Sequence, residues 1–99
     1  MTEHDSVTVT RNDDAGRYEV AVNGELAGFT EFSPNPRGQL RFPHTEVFEQ
    51  FGGRGLATTL VRDALADVAA RGEEIIPLCP FVVKYIASNE VSGLKVVSR

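Results

Sequence analysis

Ninety-nine residues, 41% of them apolar and 24% charged, set the scale of one small globular domain spanning residues 1–99. The formal charge of −4 is uneven, with nine acidic and four basic side chains in residues 1–50 against five and six in residues 51–99, and no Lys/Arg cluster invites nucleic acid. No apolar run is long enough for a membrane span, the polar start Met1-Thr2-Glu3-His4-Asp5 lacks the features of a secretory signal, and the lone Cys79 has no internal disulfide partner, which together fit the cytoplasm.

Residues 7–11 alternate as a strand does. Asn12 to Gly16 is a turn by composition. Tyr18, Val20 and Val22 then share one face of a second strand. Asn23-Gly24 is a strong hairpin signal, because both residues tolerate positive φ. The return strand covers about residues 25–32, and Ser33 to Gly38, with two prolines, is a loop. Residues 39–48 predict a fourth strand with a fault. Leu40 and Phe42 lie on one face, Thr45 and Val47 have the opposite parity, and Pro43 stands between them. A β-bulge near Pro43-His44 accounts for both facts. Two short segments joined by a kink is the alternative.

Residues 55–71 predict the main helix, with Leu56, Leu60, Val61, Ala64, Leu65, Val68 and Ala69 on its buried face and Gly72 just past its end. Ile75 to Cys79 reads as a buried strand. Pro80 suits the first turn of a short helix over Phe81 to Ala87. Leu94 to Val97 is open between a last strand, a helical turn and a tail. The expected architecture is α+β: a small, mostly antiparallel sheet, a main helix after the fourth strand and a short C-terminal helix.

The most informative stretch is Gln50-Phe51-Gly52-Gly53-Arg54-Gly55-Leu56-Ala57. Glycines between a strand and an amphipathic helix allow backbone N–H groups to converge where the helix dipole is positive, which suits a phosphate. Gly55 is followed by Leu56-Ala57 rather than Lys-Ser/Thr, which excludes a nucleoside-triphosphate loop. Counted from Gly53, the sixth position is Thr58, where a dinucleotide fingerprint needs Gly or Ala. A plain glycine-rich corner is the bland alternative.

The run His44-Thr45-Glu46-Val47, then Gln50-x-x-Gly53-x-Gly55-Leu56-Ala57, then Leu60-Val61, resembles the acetyl-CoA-binding motif of the GNAT superfamily of N-acetyltransferases. The family signature is Gln/Arg-x-x-Gly-x-Gly/Ala. Pro77-Leu78-Cys79-Pro80-Phe81-Val82 is similar to a segment of a small single-domain subgroup, and the resemblance covers residues 42–87. Two departures stand out. The chain has little room for the acceptor-site elements of longer members, and Ser88-Asn89-Glu90-Val91 stands where subgroup members often show His-Pro-Glu-Tyr.

The resemblance implies acetyl-CoA as co-substrate and an unidentified amine as acceptor, either a small molecule or a protein lysine. It implies that backbone N–H groups of Gln50, Gly52, Gly53, Arg54, Gly55, Leu56 and Ala57 cradle the CoA diphosphate, with Arg54 and Thr58 adding contacts. Main-chain groups of Val47, Phe48 and Glu49 would pair with the pantetheine arm, which Asn89 also reaches. Glu46 and His44 are candidate bases beside the thioester. Cys79, before a proline-started helix, is a candidate nucleophile, since a helix N-terminus favours the thiolate. Tyr85 reads as core. The competing readings are a non-catalytic acyl-CoA-binding or sensing module, and an interaction domain whose open sheet edges pair in a homodimer.

Overall fold

The computed structural model describes residues 6–97. The polar start at Met1–Asp5 and the last two residues lie outside it. In chain order the elements are β1 (Val7–Asn12), β2 (Arg17–Val22), β3 (Glu25–Pro34), β4 (Leu40–Val47), a 3₁₀ turn (Glu49–Phe51), α1 (Leu56–Ala70), β5 (Glu74–Pro77), α2 (Pro80–Ser88) and β6 (Lys95–Val96). Among the described residues, no helix is long and apolar enough to cross a membrane.

The six strands form one sheet in the order β1-β2-β3-β4-β5-β6. The sheet is mixed, which corrects the expectation of a mostly antiparallel one. The first four strands pair antiparallel through short turns. β4 to β5 and β5 to β6 pair parallel. The cause is the chain path: α1 carries the chain back over the sheet before β5, and α2 does the same before β6, and a helical crossover returns a strand in the same direction. α2 is therefore not the last element, because Lys95–Val96 adds a short edge strand beside Glu74 and Ile75.

Local chemistry explains the hairpins. Asn23 and Gly24 both adopt positive φ, 52° and 84°, the pair of values that a tight turn between twisted strands requires. The fourth strand carries its fault where the side-chain parity breaks. From the Glu31–His44 pair to the Ser33–Arg41 pair, β3 advances two residues and β4 three. The extra residue falls at Phe42–Pro43, so Leu40 and Phe42 are buried on one side of the break and Thr45 and Val47 turn inward on the other.

Both helices pack on one face of the sheet. Phe42, Leu60, Leu65, Ile75, Val61, Val68 and Val82 are fully buried in a single cluster with Tyr18 and Val20. Strand alternation puts Arg17, Glu19, Phe29, Glu31, His44 and Glu46 on the opposite face, which no helix among the described residues covers. One polar knot closes the core away from the glycine turn. The buried Tyr18 hydroxyl donates to Asp67 Oδ2 at 2.6 Å. Arg11 donates to Tyr18 Oη and, through both terminal nitrogens, to the Glu73 carboxylate at 2.8 and 3.2 Å. That fork geometry ties the edge strand β1 to the segment between α1 and β5.

Candidate functional site

β4 ends where Phe48 N–H donates to Ala27 O at 2.8 Å. The chain then coils through Glu49–Phe51, with Phe51 N–H donating to Phe48 O and Gly52 N–H to Glu49 O. The Phe51 ring is buried and holds the turn against the core, and the Arg54 guanidinium lies 5.7 Å above it. Gly53 and Gly55 adopt φ of 79° and 72°. No neighbour lies within 4 Å of a Cβ at either position, so backbone conformation rather than space demands glycine there. Gly55 is the N-cap of α1 and provides no capping side chain. Thr59 N–H is the first to bond back, to Gly55 O at 3.2 Å. The amides of Leu56, Ala57 and Thr58 precede it and have no acceptor within the helix. The Leu56 side chain is buried, so only its backbone faces the turn.

The sheet opens next to this turn. β5 pairs with β4 only over Leu40 to Phe42. Leu78 N–H and Cys79 N–H then both donate to Phe42 O, at 3.3 and 2.7 Å, before Pro80 starts α2 and carries the chain away. From His44 to Val47, β4 keeps its pairing with β3 and, among the described residues, has no strand on its other edge. The bulge sits where the two strands part. β4 stops at Val47, and Glu49 and Gln50 lie in the 3₁₀ turn. Of the three residues assigned to main-chain pairing with a pantetheine arm, only Val47 is therefore in a strand.

The three candidate catalytic side chains divide between two faces. His44 Nε2 lies 3.1 Å from Glu46 Oε1, and both side chains are about half exposed on the uncovered face, beside the Phe29 ring. Cys79 is on the helix side. The residue is 5% exposed, its thiol donates to Thr45 Oγ1 at 3.4 Å, and Thr45 in turn shares a 2.8 Å hydrogen bond with the buried Thr30 hydroxyl. Thr45 alternates with His44 and Glu46 along β4, so the structure does not bring the thiol and the bases together. Burial raises the Cys79 pKa. The Thr45 hydroxyl and the backbone N–H groups of Val82 and Phe81 outweigh it and hold the thiol below its ordinary range.

A groove of ≈ 310 Å³ runs between the start of α1 and the face of α2, lined by Thr58, Phe81, Lys84, Tyr85, Ser88 and Asn89. It brings together Thr58 and Asn89, two residues far apart in sequence that were both assigned to the cofactor. Asn89 also closes α2, since its backbone N–H and its side-chain amide both donate to Tyr85 O, at 2.9 and 3.1 Å. Tyr85, read as core from the sequence, is half-buried and faces the groove. Lys84 and Ser88 were not foreseen as site residues. Their signal was available: Phe81, Lys84, Tyr85 and Ser88 follow the i, i+3, i+4, i+7 spacing of one helix stripe.

No curated protein matches this sequence. A family model described as GCN5-related N-acetyl-transferase matches residues 17–93, which include every element from β2 to α2 and the whole glycine turn. The chain belongs to the GCN5-related N-acetyltransferase family.

Proposed function

We propose that this protein binds acetyl-CoA and transfers its acetyl group to a small or protein-borne amine. The observation that carries the reading is the turn Gly52–Thr58, where three amides without an intrahelical acceptor open a helix whose Thr58 lines a groove, just after the strand β4 that parts from β5. The amides of Leu56, Ala57 and Thr58 hold the diphosphate, with Gln50, Gly53, Arg54 and Gly55 shaping the turn around it. The free edge of β4 receives the pantetheine arm as a neighbouring strand would, and Asn89 lines the groove. The 99-residue chain acts as one such unit.

Two routes for the acetyl group are available to these residues. In direct transfer the acceptor nitrogen attacks the thioester carbon, the C–N bond forms, and the C–S bond breaks. The His44–Glu46 pair on the uncovered face takes the amine proton, and that face is open to an acceptor. In covalent transfer the Cys79 thiolate attacks first, a new C–S bond replaces the one to CoA, and the amine then displaces Cys79. Direct transfer is the better supported, because His44 and Glu46 are accessible and Cys79 is buried.

The separation of Cys79 from His44 and Glu46 also favours a second reading, a module that binds acyl-CoA without turnover. Calorimetric titration with acetyl-CoA, followed by an amine screen for CoA release, tests both. Binding with turnover is the expected result. Binding without turnover on any amine leaves the sensing module, and no binding overturns both readings.

A further inference from the structure

Among the described residues, β1 is one border of the sheet and β6 is the other. β6 has two residues, too few to template a further strand. β1 has six, and it pairs with β2 residue for residue, without a bulge. Asn23 N–H donates to Ser6 O at 2.7 Å, which sets the phase of that ladder. In this phase Thr8, Thr10 and Asn12 turn their main-chain groups toward β2, and Val7, Val9 and Arg11 turn theirs outward. Among the described residues, no strand lies on that outer side. The border also lacks the devices that keep a sheet edge from pairing. It carries no proline and no lysine. Its one charge, Arg11, is 11% exposed and tied to Glu73 and Asp13. Val7 is 40% exposed, and Thr8 and Thr10 are exposed on the uncovered face.

The strand matches itself about Val9. In an antiparallel ladder, outward-turned residues bond only to outward-turned residues. Placing Val9 opposite Val9 of the partner subunit brings Val7 opposite Arg11 of the partner subunit, so all three outward residues of each copy are paired. Thr8 then stands opposite Thr10 of the partner subunit, a favourable cross-strand match that occurs on both sides of the axis. Arg11 meets a valine, so no like charges oppose one another.

We infer that β1 is the interface of a homodimer, in which two copies join edge to edge across a two-fold axis at Val9 and their sheets become continuous. A second copy fits better than a foreign peptide, because its strand is already held extended by β2, whereas a free peptide must be ordered on binding. The contact is one strand long, which places it with the small, reversible interfaces rather than the obligate ones. Two strands separate β1 from β4, so the dimer leaves the free edge of β4 open and does not depend on the acetyl-CoA reading.

Sedimentation velocity on the full chain, from micromolar to millimolar protein, tests the interface. The parent is expected to pass from monomer to dimer across that range. A chain carrying both Thr8→Lys and Thr10→Lys sets lysine opposite lysine on both sides of the axis and should stay monomeric. Both positions are exposed, so at micromolar concentration this variant should melt with the parent. A chain carrying both Thr8→Glu and Thr10→Glu should also stay monomeric, and an equimolar mixture of the two variants should recover the dimer, because each lysine then faces a glutamate. A parent that is monomeric throughout overturns the inference. So does a lysine variant that dimerises as the parent does, because that places the contact on another surface. A mixture that stays monomeric rejects the Val9-centred pairing and the interface with it.

Discussion

The Thr45 hydroxyl on β4 and the Cys79 thiol at the N-cap of α2 meet at 3.4 Å, directly above the point where β4 and β5 part. Thr45 is itself fixed by the 2.8 Å bond to Thr30, so its position is set by the sheet. Thr45→Val keeps the shape of the side chain and removes the hydroxyl. The Cys79 pKa is then expected to rise, because burial still penalises the thiolate and its leading hydrogen bond is gone. Thiolate absorbance followed against pH measures this. Thr45→Ser should keep the parent midpoint, and an equal midpoint in the valine variant would refute the coupling.

The two faces of β4 make a second prediction about turnover. Direct transfer requires Glu46 and His44 and does not require Cys79. Glu46→Gln is expected to lower kcat/KM by at least roughly a hundredfold, the scale of a lost general base. Cys79→Ala should leave turnover within a factor of a few and leave the Kd for acetyl-CoA unchanged. The reverse pattern, a collapse in Cys79→Ala with Glu46→Gln active, would establish the covalent route instead.

The parts of this protein written in local sequence were legible, and those made by long-range pairing were not. Asn23-Gly24 specifies its turn through two positive φ values, and the parity break at Pro43 marks the bulge in β4. The apolar spacing from Leu56 to Val68 marks the buried face of a helix, because burial follows helical period. The parallel pairings lie beyond such reasoning. β6 has only two residues, and its place beside Glu74 and Ile75 depends on the path of α2 rather than on its own composition. Arg11 looks like a surface charge in an edge strand, yet its side chain is 11% exposed because Glu73, distant in sequence, comes back to meet it. In the candidate site, the glycine turn was readable from residue type alone. The division of Cys79 from His44 and Glu46 required the strand register, and Lys84 required the packing of α2 on α1.

The glycine turn should be sensitive to side chains that its neighbours would tolerate on steric grounds. Gly55→Ala places a Cβ in open space but forces a non-glycine residue to φ of 72°. The cost is about 1–2 kcal/mol, which is roughly 4–15 °C in Tm for a domain of this size. Acetyl-CoA affinity should fall along with stability, because a relaxed φ at the N-cap re-aims the amides of Leu56 to Thr58. Gly28→Ala is the contrasting case. Its φ is ordinary, but the new Cβ would strike the Glu46 carbonyl and the Val47 backbone. It should destabilise the sheet by more than Gly55→Ala does, through the β3–β4 pairing. Thermal melts of the two variants, with and without acetyl-CoA, separate the two effects.

The Tyr18–Asp67 hydrogen bond makes a contribution to stability that acid removes. Burial of Asp67 raises its pKa, but the Tyr18 hydroxyl and the Arg71 guanidinium prevail and hold the carboxylate below its ordinary value of 3.8. A carboxylate with a depressed folded-state pKa stabilises the fold fully above its unfolded value. That contribution is lost as pH falls below about 3.8 and through the folded value. Asp67→Asn should therefore lower stability at neutral pH and flatten its dependence on pH in that acid window. Tyr18→Phe removes the buried hydroxyl and leaves Asp67 its bond to Arg71, at a cost of about 1–2 kcal/mol at neutral pH. It should also shift the acid midpoint upward, since the carboxylate loses the first of the two partners that keep it ionised. Urea melts from pH 2 to pH 7 on the parent and both variants measure these slopes. A parent protein whose stability is flat below pH 4 would show that Asp67 is titrating at its unfolded value and that the Tyr18 bond does not hold the carboxylate in solution.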